Sequence, residues 1–195
     1  MARQIINNGT IAGDGTGETL FTAFDKTNDN FVELYKVAGW ASYAQSIATA
    51  QTITSTDSKL VIDGTGAGSN SSYLPLEIRG ISELWDTTNN KITPISIGDG
   101  YTMRIDFEIT GKTGNPNGLD ISLGIGGGAT PSNVITERVV STLKAVPYNI
   151  SVAFPFYTLS DFKTNGGQIF LKTDTGTLTI TARMISIHRI SSGTI

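Results

Sequence analysis

From Tyr101 to Thr110 apolar and polar residues alternate without a fault. Tyr101, Met103, Ile105, Phe107 and Ile109 share one parity, and Thr102, Arg104, Asp106, Glu108 and Thr110 the other. A period of two is the pattern of a strand with one buried face, and Asp99 with Gly100 marks the turn that precedes it. Residues 148–156 repeat the pattern, with Tyr148, Ile150, Val152, Phe154 and Phe156 on one face. Pro155 has no amide hydrogen, so this run is expected at a sheet edge or a bulge. Gly166 and Gly167 introduce a further run at 168–173, and Asp174, Thr175 and Gly176 read as a hairpin loop into the last strand. That strand begins with Leu178, Ile180, Ala182 and Met184 on one side and then changes phase to Ile185 and Ile187. Such a change predicts a bulge near Met184, or cover on both faces. Shorter candidates lie at 59–63, 73–85, 91–97, 119–125 and 134–140. Many short strands with little helix between them predict a mainly β chain, an antiparallel β-sandwich or jelly roll with one N-terminal α-helix.

The period changes at 17–37. Leu20, Phe24, Thr27, Phe31, Leu34 and Ala38 recur at spacings of four and three, the a/d seam of a helix. Phe21, Val32 and Tyr35 widen the stripe. Thr16 or Gly17 is the expected N-cap, Glu18 falls in the first turn, Lys36 in the last, and Gly39 is expected to end the helix in the left-handed conformation. The stripe can pack on the chain's own sheet, or three copies can meet in a short parallel bundle. The seam favours the trimer, although fewer than three heptads need further contacts from the β domain. Residues 41–72 are rich in Ser, Thr, Ala and Gly, and 64–72 read as a flexible loop. The expected division is an N-terminal segment with its helix at 1–40, a connector at 41–72 and a β-sandwich knob at 73–195.

Composition narrows the function. The chain has 195 residues, 38% of them apolar and 16% charged, enough for one domain with a real core. Lys and Arg number 14 against 17 Asp and Glu, for a net charge of −3, which argues against a phosphate-neutralising nucleic-acid binder. There is no cysteine and one histidine, His188, so thiolate chemistry, histidine-rich metal sites and a Ser-His-Asp hydrolase are not expected. Residues 1–4 carry no apolar signal segment, and no run approaches the roughly 18 apolar residues of a membrane span.

Residues 3–35 resemble a short module recurrent at the N-termini of tailed-bacteriophage structural proteins. The matching positions are Ile6, Asn7, Gly9, Thr10, Asp14, Gly15, Thr16, Gly17, Glu18, Leu20, Ala23, Phe24, Lys26, Asn28, Asn30, Phe31, Glu33, Leu34 and Tyr35. Phe21 stands where an arginine is common, and Thr27 where an apolar residue is common. The resemblance implies a virion protein whose N-terminus attaches to the particle, usually as a trimeric fibre or decoration. The Thr- and Ile-rich ending around 179–188 is similar in character to the tumour-necrosis-factor-like jelly-roll knobs of phage surfaces.

Candidate chemistry is sparse. Asp106 and Glu108 share a strand face as catalytic carboxylates would, but Arg104 and Thr102 beside them make a solvated ion ladder the simpler reading. Residues 124–128 look like a phosphate loop without its Lys and Ser or Thr. Asp63 to Gly66, and Asp99 with Gly100, read as turns ahead of calcium ligands. His188 with Arg183 and Arg189 suggests an anion site less well than a strand histidine. Trp40, Tyr43, Trp85 and Tyr157 are expected in the core or an interface ahead of a carbohydrate platform. The expectation is a non-enzymatic phage virion protein at the virion surface, without cofactor or metal. It would be a homotrimeric capsid decoration or short head fibre, joined through Leu20, Phe24, Thr27, Phe31, Leu34 and Ala38. Residues 1–40 would bind capsid or tail proteins. The alternative is a receptor-binding tail protein that recognises a host-surface glycan or protein.

Overall fold

The computed structural model describes residues 4–9, 15–46, 49–75, 78, 83–125, 131 and 133–193, with the side chains of 32–37 outside that description. The elements in chain order are α1 (Leu20–Val37), β1 (Gly39–Ala44), β2 (Gln51–Ile53), β3 (Ser58–Lys59), β4 (Trp85–Asp86), β5 (Lys91–Ile92) and β6 (Gly100–Thr113). There follow β7 (Gly118–Ile125), β8 (Asn133–Ser141), β9 (Tyr148–Tyr157), α2 (Ser160–Asn165), β10 (Gly167–Thr173) and β11 (Thr177–Ser191). The first sheet runs β1-β11-β6-β9, with β2 also on β11; the second runs β4-β5-β10-β7-β8, with β3 also on β10. Every pairing is antiparallel. Because β1 and β2 share one neighbour, and β3 and β5 another, the described residues give eight strand positions besides the short β4 at the edge of the second sheet. Their order is first-eighth-third-sixth in one sheet and second-seventh-fourth-fifth in the other. That interleaving is a jelly roll.

The long alternating runs lie where their period puts them. Tyr101, Met103, Ile105, Phe107 and Ile109 on β6 are buried, as are Ile150, Val152, Phe154 and Phe156 on β9. They meet Leu119, Ile121 and Leu123 of β7 and Ile169 and Leu171 of β10 in one core. Pro155 sits on β9, the edge strand of the first sheet, where a missing donor costs no ladder bond. The phase change of the last strand is a bulge: the register shifts between Thr181 and Met184, and Ala182 has φ of 47°. Two candidates are only partly described, because 76–77, 79–82 and 126–130 lie outside the described residues.

Three expectations are corrected. The turn at Asp174–Gly176 does not close a hairpin, since β10 lies in the second sheet and β11 in the first. Consecutive strands with perfect local turn signals part company because each is needed by a different layer. Residues 41–72 are not a connector: they supply β1, β2 and β3 and bury Ala41, Ile53, Leu60 and Ile62. The glycine-rich loop within them covers the free edge of β1. Gly66 N donates to Ala44 O at 2.8 Å, and Ser42 and Asn70 exchange backbone bonds at 2.8 Å each. The helix ends also differ. Thr19 is the N-cap, its hydroxyl accepting from Thr22 N at 3.2 Å, so Glu18 lies outside the first turn. Gly39 is the first residue of β1 and is needed for close approach: Trp40 N donates to Tyr73 O at 2.8 Å, and a Cβ on Gly39 would run into the Tyr73 and Pro75 backbone.

Candidate attachment and assembly surface

The polar residues of the N-terminal segment close on one another. Glu18 N donates to Asn7 O at 2.9 Å, Asn7 Nδ2 to Thr16 O at 3.1 Å, and Gly9 N to Asn7 Oδ1 at 3.0 Å. The Asn30 amide grips the backbone of Gln4 twice, Oδ1 accepting from its N at 2.9 Å and Nδ2 donating to its O at 3.0 Å. Lys26 Nζ donates to Ile5 O at 3.1 Å and pairs with Glu18, while Gln4 Nε2 donates to Asp29 Oδ2 at 2.8 Å. Residues 4–9 therefore form a strap bound along one side of α1. Asn7, Gly9, Glu18, Lys26 and Asn30, which carry much of the sequence resemblance, are the residues that tie it there.

The apolar seam lies on another side. At roughly 100° per residue, Leu20, Phe24 and Phe31 fall within about 40° of each other, and Lys26 and Asn30 point well away. Leu20, Phe24 and Phe31 are 74%, 60% and 55% exposed, so the single chain leaves these three side chains of the stripe largely uncovered. Thr27 is half-buried and donates to Ala23 O at 2.8 Å. Ala38 is the exposed C-cap, and the Leu34 side chain lies outside the described residues.

α1 enters the first sheet at Gly39, opposite Arg189. On the outer face beside that entry Trp40 stacks between Tyr73 and His188, with centroids 5.0 and 5.9 Å away. Nearer the strand ends, Gly100 lies opposite Tyr157 and Ser191, and Ile97, Tyr157, Leu159 and Ile190 are all exposed around it. This second apolar patch is invisible as a pattern, because it joins the ends of three strands and a turn.

The remaining candidates separate. Arg104 bonds Asp106 at 2.8 Å on the outer face, and Thr181 reaches Glu108 at 3.3 Å. Asp63 is a turn residue: hydrogen bonds from the Thr65 backbone, then its hydroxyl, hold its carboxyl below the usual range. Asp99 is fully buried, pairs with Arg189 at 2.9 Å and also accepts from the Tyr101 hydroxyl. His188 points outward while Arg183 and Arg189 point into the core, so they form no common site. Of the four aromatics, Trp85 and Tyr43 are buried and Tyr157 is exposed. Burial, then the neighbouring Glu83, pushes the Tyr43 hydroxyl far up.

No family model and no curated protein matches this chain. Among solved structures it is similar to Eiger TNF from S. frugiperda, with 9% identity, a TM-score of 0.47, and coverage of 80% of this chain and 94% of that one. It is also similar to PRD1 vertex protein P5, at 15% identity and a TM-score of 0.45 over 78% of this chain and 97% of the other. A third, BiXyn10A CBM1 in its apo form, gives 16% identity and a TM-score of 0.31 over 78% and 92%. The class itself follows from the strand order: a mainly β, antiparallel jelly roll with a helix leading into its first strand.

Proposed function

We propose that this protein is a structural component of a tailed-phage virion, a homotrimer displayed on the particle as a capsid decoration or short head fibre. One observation carries the reading: an 18-residue helix presents Leu20, Phe24 and Phe31 to solvent, while the strap occupies a different side. An exposed apolar row on a helix is a surface suited to being covered. Burying each such side chain is worth about 1.5–3 kcal/mol. Three of them from each of three copies do not comfortably exceed the about 4–15 kcal/mol lost at each association step. The patch of Ile97, Tyr157, Leu159 and Ile190 supplies the additional surface, since it lies at the sheet end where the helix enters. The strap, with Ile5 exposed on it, then faces the particle. No step of this role asks chemistry of any side chain.

Analytical ultracentrifugation of the purified chain tests the assembly; a trimer of 20.7 kDa subunits is expected. A monomer at micromolar concentration overturns the trimer. Co-sedimentation with particles lacking the protein tests attachment. Undiminished binding after deletion of residues 1–38 would move the attachment surface to the knob.

A further inference from the structure

Away from α1 and from the outer face of the first sheet, the stretch after β5 and the helix α2 enclose a groove of about 370 Å³. Its floor includes Ile78 and Ile95, and two lysines, Lys91 and Lys163, stand at it. Both ammonium groups are held by backbone: Lys163 Nζ donates to Pro94 O at 2.9 Å and Lys91 Nζ to Asn165 O at 3.4 Å. Capping the carbonyl end of α2 accounts for the Lys91 contact. It does not account for Lys163, which leaves α2 to reach across the same groove. Among the described residues neither lysine forms an ion pair. Asp86, the carboxylate that Lys91 acts on electrostatically, is occupied by Thr88 and Asn89.

Thr93 and Thr164 also line the groove. Thr93 donates its hydrogen to Glu83 O, and Thr164 to Ser160 O at 3.0 Å. Their oxygens can therefore only accept from a ligand, whereas each ammonium has donors left and can only donate. The complementary molecule carries an anionic acceptor and hydroxyl donors on one apolar-backed ring. We propose that this groove binds an acidic sugar unit, a hexose ring bearing a carboxylate or a phosphate. The volume fits a ring and its substituent, where a bare anion would leave most of it empty. Such units are chemistry of cell-surface polymers, so the groove gives the knob a receptor-binding capacity. The inference is independent of the virion role, since no groove residue belongs to the assembly surface.

The full chain is titrated with glucuronic acid, glucose 6-phosphate, glucose and inorganic phosphate, by calorimetry and saturation-transfer NMR. Saturable binding by at least one acidic sugar is expected, weakened by added salt, with glucose and phosphate each about tenfold weaker or silent. Which acid saturates names the source, a uronic-acid polymer or a phosphorylated one. Lys91→Met with Lys163→Met is expected to cut that affinity about tenfold or more. If that pair disturbs folding, Thr164→Val, which removes one acceptor from an exposed position, is the second variant and is expected to weaken binding. The proposal is overturned if neither acid saturates, if glucose binds as well as the acids, if phosphate alone binds as tightly, or if the folded variants bind undiminished.

Discussion

Arg183 and Arg189 are 1% and 2% exposed, and each fastens parts of the chain that sequence distance keeps far apart. Arg183 donates to Val61 O at 2.9 Å, Thr49 O at 3.0 Å and Ile180 O at 3.2 Å, and burial lowers its pKa. Arg189 pairs with Asp99, which also accepts from Gly193 N, Ser96 N and the Tyr101 hydroxyl. Arg189→Met would leave that carboxylate buried without its cation, a loss of about 3–5 kcal/mol in thermal or urea unfolding. Arg104→Ala, at an exposed pair with Asp106, is expected to cost under about 1 kcal/mol. Two turn carboxylates tie stability to pH. Asp63 is held below its ordinary value by Thr65, and Asp174 by the backbone at Gly118 and then Asn117. A depressed carboxyl stabilises the fold above the unfolded value and loses that contribution as pH falls through its folded value. The unfolding temperature should therefore drop as pH falls below about 4, and Asp63→Asn with Asp174→Asn should flatten that fall.

At the scale of elements, α1 is legible from its seam, but its ends are not. A threonine cap depends on which hydroxyl reaches the Thr22 amide, and Thr16, Gly17 and Thr19 all satisfy the residue preference. The strap rests on one side chain above all. Asn30→Ala removes both grips on Gln4, each worth about 0.5–1.5 kcal/mol. Faster amide exchange over residues 4–9 is expected, with unchanged protection in β6 and β11. The loop at 64–72 illustrates the opposite error. Its glycines and serines read as freedom, yet Gly66, Ser69 and Asn70 are bonded to β1. Limited proteolysis should therefore yield a stable fragment that retains residues 39–75. A stable fragment beginning near residue 73 would contradict the pairing of β1 with β11.

For the whole molecule, assembly and folding should separate. Phe24 and Phe31 are exposed and do not belong to the buried core of the sandwich, so Phe24→Ala with Phe31→Ala should abolish trimerisation in ultracentrifugation while leaving the β-type circular dichroism intact. That division reflects what each kind of information contains. The alternation at 101–110 and 148–156 determined the buried faces of β6 and β9, because a strand's period of two places a side chain without knowledge of its neighbour. The four-three spacing from Leu20 determined a helix and an apolar stripe for the same reason. Which layer each strand joins was decided only in three dimensions: the turn at Asp174–Gly176 fits a hairpin locally, yet β10 and β11 belong to different sheets. The same holds for the Lys91 and Lys163 groove, the patch around Gly100 and the Arg189 pairing with Asp99. Their members lie far apart in the chain, carry no mutual period, and become neighbours only once burial of the two sheets against each other has set the strand order.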